Sequence, residues 1–160
     1  VDVKGLTVLD VGSSTGGFVD CLLQNGAAKV YALDTAYGEF AWKLRNDSRV
    51  IVIERQNILF FQGLPEKIDL VTIDVTFTSL DKILPVIKKF LKENGKIIAL
   101  VKPQYERQDI ALKNKGIIPP EMLEDIVSEI NFGEFKVLKK TASPILGGSG
   151  NKEFLVLISN

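Results

Sequence analysis

The chain has 160 residues, 46% of them apolar and 25% charged, with 20 basic and 20 acidic side chains, one cysteine and no histidine. That is the balance of a single globular domain; zero net charge excludes a global field for polyanions, and no apolar run of about 18 residues offers a membrane span. The missing histidine removes imidazole acid–base catalysis, a Ser-His-Asp triad and the usual catalytic zinc site, so no metal is expected, and the lone cysteine fits a reducing, cytoplasmic compartment.

The first element is a short apolar run, Leu6 to Val11, with the length and β-branched content of a buried strand. It stops at Gly12, and a helical apolar pattern of Phe18, Cys21 and Leu22, flanked by Val19 and Leu23, begins just beyond. Cys21 is read as packed within that stripe. Strand, glycine turn and helix open a nucleotide-binding α/β unit, because glycine lets the backbone turn with positive φ or lie against a ligand. The turn reads Gly12-Ser13-Ser14-Thr15-Gly16-Gly17. It lacks the middle glycine that admits a pyrophosphate and the Gly-Lys-Ser/Thr ending of a P-loop. A nucleoside-type ligand without phosphates is the expectation, an ordinary tight turn the alternative.

Lys29 to Leu33 reads as the second strand. Asp34 closes it, 22 residues beyond Gly12, where a carboxylate can accept from two ribose hydroxyls or simply end the strand in solvent. A helix is expected from Glu39 to Asn46, with Trp42 in the core or, alternatively, at the site. Arg49 to Ile53 is the third strand; Asn57 beyond it either reads an adenine edge or holds a turn, and Arg55 either touches ligand or pairs with surface acids. Ile68 to Asp74 is the fourth strand, in a central parallel position. Leu80 to Leu91 follows as a helix with Ile83, Leu84, Ile87 and Leu91 on one face, and Lys82, Lys88, Lys89 and Lys92 form its solvated side or, alternatively, contact an RNA backbone.

Asn94-Gly95 turns into the fifth strand, Lys96 to Pro103, which proline ends because it cannot donate to a ladder. Residues 104–118 lack apolar periodicity and are expected to form a mobile loop over the carboxyl ends of the strands. Tyr105 in that loop is a stacking platform for a base or a latch. Pro119 starts a helix running through Ile130, with Met122 as core filler. Phe135 to Leu138 and Glu153 to Ile158 read as the last two strands. Residues 136–152 hold four lysines and no acid, and the connection within them grips a phosphate or is disordered. The first 81 residues carry 7 basic and 11 acidic groups and the rest 13 and 9, a split that permits a basic face or reflects an uneven surface.

Asp74 and Lys102 end strands, and Glu153 begins the last one. If that strand runs antiparallel to the fifth, all three charges converge beside the glycine turn, at the sheet edge where open α/β sheets bind ligands. Scattered surface charges would leave the same pattern.

These residues carry a resemblance. Leu9-Asp10-Val11-Gly12-Ser13-Ser14-Thr15-Gly16-Gly17-Phe18, Asp20 to Leu23, Tyr37-Gly38, Ala41 to Arg45, Glu54-Arg55, Asn57, Ile73-Asp74-Val75, Val101 to Gln104 and Gly150 to Phe154 are similar to the methyltransferase domain of the hemolysin-A-like, FtsJ-type ribosomal RNA 2′-O-ribose methyltransferases. The resemblance implies an α/β, Rossmann-like fold with a seven-stranded, mostly parallel sheet, its last strand antiparallel and helices on both faces. It implies S-adenosylmethionine (SAM) held by Asp10, Gly12, Ser13, Ser14, Thr15, Gly16, Gly17, Phe18, Asp34, Asn57 and Asp74. From the family's Lys-Asp-Lys-Glu catalytic set, Asp74, Lys102 and Glu153 carry over. The first lysine normally lies upstream of the first strand, and Lys4 falls too near that strand to replace it.

The chain opens almost directly in a strand without an initiator methionine, which reads as an N-terminally truncated domain over residues 1–160, with an S4-like RNA-binding domain expected upstream. Ile118-Pro119-Pro120 stands where the family has an Arg-Asp-Pro segment, a departure that touches substrate contacts. The implied partner is ribosomal RNA or a ribosomal subunit, with no DNA and no membrane. Rival readings are a SAM-binding or RNA-associated accessory module without turnover, and a methyltransferase acting on another RNA position. Asp74-Val75-Thr76-Phe77 lacks the Asn-Pro-Pro-Tyr-like arrangement of amino-group methyltransferases.

Overall fold

In the computed structural model, which describes residues 1–160, seven strands form one sheet in the order β3-β2-β1-β4-β5-β7-β6. They are β1 Thr7–Val11, β2 Lys29–Leu33, β3 Val50–Ile53, β4 Ile68–Ile73, β5 Leu91–Val101, β6 Lys136–Ala142 and β7 Phe154–Ser159. The ladders joining β1 to β5 are parallel, and β7 runs antiparallel to both β5 and β6. The α/β, Rossmann-like arrangement with an antiparallel last strand is therefore present. The central strands are mainly apolar because they are buried on both faces, with Asp10 and Thr72 as buried polar exceptions.

One face packs Leu9, Val71, Ile97, Val156 and Ile158 under α3 (Leu80–Lys88) and α6 (Leu123–Glu129). The other packs Val8, Val30 and Leu70 under α1 (Gly17–Gln24) and α2 (Trp42–Arg45). Between them, α4 (Pro103–Glu106) and α5 (Gln108–Lys113) follow β5. No helix is long and apolar enough to cross a membrane.

Several expectations are corrected. Cys21 is exposed: the buried stripe of α1 is Val19, Leu22 and Leu23, spaced i, i+3, i+4, and Cys21 lies off that face. Trp42 is 76% exposed, while Phe40 and Leu44 fill the space inside. The helix there spans only Trp42–Arg45, one turn, too short for periodicity to orient its side chains. Arg55 stacks over the Tyr37 ring at 4.1 Å rather than joining a surface ion pair.

The helix begun at Leu80 stops at Lys88, and β5 already starts at Leu91. Its ladder steps from Ile68↔Leu91 to Leu70↔Lys96, so Asn94-Gly95 lies in a bulge inside the strand. Residues 104–118 form mostly helix, with Ile110, Ala111 and Ile118 packed on Leu123 and Ile126 as a small third core. Those helices have four and six residues, below the length at which an apolar stripe can be recognised. The segment 143–152 is closed by Ser143 N donating to Glu153 O, Gly147 N to Asn151 O and Gly150 N to Gly147 O, not a disordered connection.

Candidate active site

Parallel strands deliver their carboxyl ends to one edge, and every loop leaving the first five contributes to a single cleft of about 350 Å³. Gly12 and Ser14 come from beyond β1, Asp34, Thr35 and Glu39 from β2, Gln56 and Asn57 from β3, Asp74, Thr76 and Thr78 from β4, and Lys102 from β5. Val11, Leu33 and Ile58 supply apolar lining.

Gly12 has φ +83°, and a Cβ there would stand 2.0 Å from the Asp74 carbonyl oxygen. The glycine is therefore demanded by the crossing of β1's exit over β4's exit, and that crossing sets Asp74 beside the turn. Gly16 (φ +102°) leaves room for Leu44 Cδ1, 2.4 Å from where a Cβ would be, whereas a Cβ on Gly17 would meet nothing within 4 Å. Ser14 takes a positive φ of 45°, which turns its N–H to donate to Asp34 Oδ2 at 2.7 Å; Ala36 N donates to Oδ1 at 2.8 Å. Oδ1 also accepts from the Thr35 hydroxyl at 3.5 Å, and Oδ2 keeps a second lone pair for a ligand hydroxyl. Asn57 Oδ1 accepts from Leu59 N at 2.9 Å, capping a short 3₁₀ turn, and its amide N–H₂ is left for a ligand edge.

At the other end, Lys102 Nζ lies 2.6 Å from Asp74 Oδ1, with side chains 14% and 32% exposed respectively. A charged pair this desolvated interacts more strongly than a surface pair. Glu153 is buried too. The β5–β7 register pairs Val101 with Phe154, so one further step sets Glu153 across from Lys102. Glu153 nevertheless forms no ion pair with that lysine; its Oε1 accepts from Gln104 Nε2 at 3.3 Å, and Gly147 lies close enough that a Cβ would come within 2.4 Å of the same oxygen.

Of the residues singled out from the sequence, Gly12, Ser14, Asp34, Asn57, Asp74 and Lys102 share the cleft lining; Asp10, Ser13, Thr15, Gly16, Gly17, Phe18 and Glu153 stand outside it. Asp10 is buried in β1, its Oδ1 accepting from the Thr72 hydroxyl and its Oδ2 without a partner. Burial, helped by the nearby Asp74 and Asp34 charges and opposed by hydrogen bonding, pushes the Asp10 carboxyl up to about 6. The Ser13 hydroxyl donates to Asp10 O at 3.1 Å, stitching the turn to its strand. Lys4 sits against Gly26 beside the amino end of β1, the sheet edge opposite Lys102. Glu39, Gln56, Thr76 and Thr78 in the lining were not signalled by the sequence, because irregular loops carry no period.

Phe77, next to this lining, is 77% exposed and held at φ +63°. Its ring lies 5.0 Å from that of Tyr105 in a tilted pair, and Gln108 Nε2 donates to Phe77 O at 3.4 Å. Positive φ is costly for an aromatic residue, so the loop holds an exposed ring at the mouth of the cleft. No group of three or more His, Cys, Asp or Glu side chains is placed to hold a metal ion. The donor set suits a nucleoside carrying a cationic group: hydroxyl acceptors at Asp34, amides at Gln56 and Asn57, an apolar floor and a carboxylate at Asp74.

Comparison with known proteins agrees with that chemistry. A model of the FtsJ-like methyltransferases matches residues 1–160. YqxC of Bacillus subtilis, described as a candidate rRNA methyltransferase, is 46% identical over 98% of this chain and 58% of its own length. The 16S/23S rRNA (cytidine-2′-O)-methyltransferase TlyA of Mycobacterium tuberculosis is 38% identical over 98% of this chain and 61% of its own. The chain thus spans about three fifths of these curated relatives. A solved structure from Lactococcus lactis, of a candidate hemolysin, superposes with TM-score 0.90 at 42% identity, covering 99% of this chain and 80% of that one.

Proposed function

This chain belongs to the FtsJ-like methyltransferase family, and from that premise we propose that it transfers a methyl group from SAM to a ribose 2′-hydroxyl of ribosomal RNA. The observation that carries the reading is the Lys102–Asp74 pair at one end of a nucleoside-sized cleft. The cleft lining suits the cofactor: Asp34 would accept from the ribose diol, Asn57 and Gln56 would meet the adenine edge, and the Asp74 carboxylate would complement the sulfonium charge. SAM supplies a methyl group already activated by a neutral thioether leaving group.

The chain's own residues must then align an oxygen and remove its proton. An ammonium has three donors and no acceptor, so Lys102, held by Asp74, clamps one lone pair of the 2′-oxygen and leaves the other facing the methyl carbon. An acceptor oxygen that takes the methyl group would become strongly acidic at its hydroxyl, and the Asp74 carboxylate would take that proton. Glu153, across the β5–β7 ladder, belongs to this set by position and steadies Gln104 beside it. The Phe77–Tyr105 pair offers a face on which the target base stacks. Relatives named for rRNA 2′-O-methylation support this choice of acceptor.

The test uses methyl-labelled SAM, ribosomal subunits and the Asp74→Ala variant. The proposal expects label transfer by the unmodified protein and its loss in the variant; undiminished transfer by Asp74→Ala would sink the assigned site.

A further inference from the structure

We propose that the edge strand β6 and the loop after it form a track for the phosphate backbone of RNA that ends at the active site. This rests on the RNA methyltransferase reading and deepens it. All seven residues of β6 are exposed. Lys136, Lys139, Lys140 and Lys152 fall within a stretch free of acids, all are exposed, and none joins an ion pair. In a chain of zero net charge, that segregation localises positive potential on one edge of the sheet.

The topology aims this edge at the chemistry. β6 runs parallel to β5, since both are antiparallel to β7, so it climbs from Lys136 toward the carboxyl edge. At about 3.4 Å per residue, Lys136 to Ala142 spans about 20 Å, enough for several consecutive phosphates. Ala142 pairs with Phe154, and Ser143 N donates to Glu153 O at 2.8 Å. Adjacent strands lie about 4.8 Å apart, which puts the end of β6 about 10 Å from the β5 end that carries Lys102.

Buried Asn151 fixes the next turn, accepting from Ile118 N at 2.8 Å and donating to Gly116 O at 2.9 Å. It thereby joins the turn bearing Lys152 to the loop after α5, which carries exposed Lys115 close behind exposed Lys113 at the helix end, two further cations. Charge complementarity selects a polyanion as the occupant. The competing explanation is that edge lysines merely prevent strand-to-strand association beside exposed Val137 and Leu138.

The experiment combines Lys136→Gln, Lys139→Gln, Lys140→Gln and Lys152→Gln. Binding of a fluorescein-labelled single-stranded RNA of about 20 nucleotides is followed by anisotropy against salt. With roughly 0.7 counterions released per phosphate contact, the track predicts that the slope of log affinity against log salt drops by about 3. Affinity at about 0.1 M salt should fall more than tenfold, with S-adenosylhomocysteine binding unchanged. Should the quadruple variant not fold, Lys139→Gln with Lys140→Gln should lose about half that slope. Affinity within twofold of the unmodified protein, with a slope changed by less than about 1, would overturn the track, whether or not the variant self-associates through its edge. Lys102→Met separates the two proposals: it should retain RNA affinity while losing methyl transfer.

Discussion

Replacing Gly12 by alanine concentrates the account on one atom. The new Cβ would lie 2.0 Å from the Asp74 carbonyl oxygen and 2.8 Å from its carbon. Both are backbone atoms, so no rotamer relieves the clash, and β1 and β4 must part by at least about 1 Å, since real Cβ contacts stay beyond 3.0 Å. Holding alanine at φ +83° adds about 1–2 kcal/mol. Together these should cost about 3 kcal/mol, within the range of backbone-strain variants, and lower Tm by about 6–12 °C for a domain this size. Because the displaced group is Asp74 itself, cofactor binding and turnover should fall with it.

Gly17→Ala is the internal control. Its Cβ meets nothing and it occupies the first helical position of α1, so it should leave Tm unchanged or raise it by up to a few degrees. Thermal unfolding followed by circular dichroism, with S-adenosylhomocysteine titrated calorimetrically, measures both. Equal Tm values for the two variants would refute the reasoning.

Four further outcomes are expected. Asp34→Ala removes the acceptor of the Ser14 and Ala36 amides and should weaken S-adenosylhomocysteine binding about 10- to 100-fold by calorimetry. Lys102→Met should lower the methyl-transfer rate by about 10²–10⁴ in single-turnover assays while cofactor affinity stays within a few fold. Burial, with the Asp81 charge adding to it and the Leu80 amide opposing it, pushes the Glu106 carboxyl up to about 7 from an ordinary 4.5. The folded state therefore holds a proton that the unfolded chain has lost, so stability from this group falls as pH rises from about 4.5 through 7; Glu106→Gln should flatten the Tm decline between about pH 5 and 8, and parallel curves would contradict the assignment. Finally, Trp42→Ala should change stability by less than about 0.5 kcal/mol, because the ring is 76% exposed, whereas Leu44→Ala should cost about 2–5 kcal/mol in chemical denaturation.

The parallel sheet was legible because strands buried on both faces appear as mainly apolar runs, as in Val8 to Val11 and Leu70 to Ile73, where the polar exceptions Asp10 and Thr72 hydrogen-bond each other. A strand end is also where such a run gives way for good to charged, glycine or proline residues, so Asp34, Asp74 and Lys102 could be placed at one edge before any coordinates. Contacts at that edge were less legible. Register sets Glu153 across from Lys102, but which partner each side chain takes depends on neighbours such as Gln104, whose amide lies beside Glu153. Short elements hid their faces: one turn around Trp42 and the helices after Lys102 contain too few residues for a period to show. Gly12 was read for its ligand, whereas the pressing contact is a carbonyl of the next strand, a crossing that exists only once β1 and β4 pair.

The acceptor atom distinguishes ribose from base methylation most directly. Methylating a 2′-oxygen removes the nucleophile that cleaves the neighbouring phosphodiester in alkali, so a methylated site survives as a dinucleotide. Ribosomal subunits incubated with the protein and methyl-labelled SAM, then hydrolysed in alkali, should yield label in alkali-stable dinucleotides, and Lys102→Met should abolish it. Label recovered in mononucleotides with a methylated base would contradict the account.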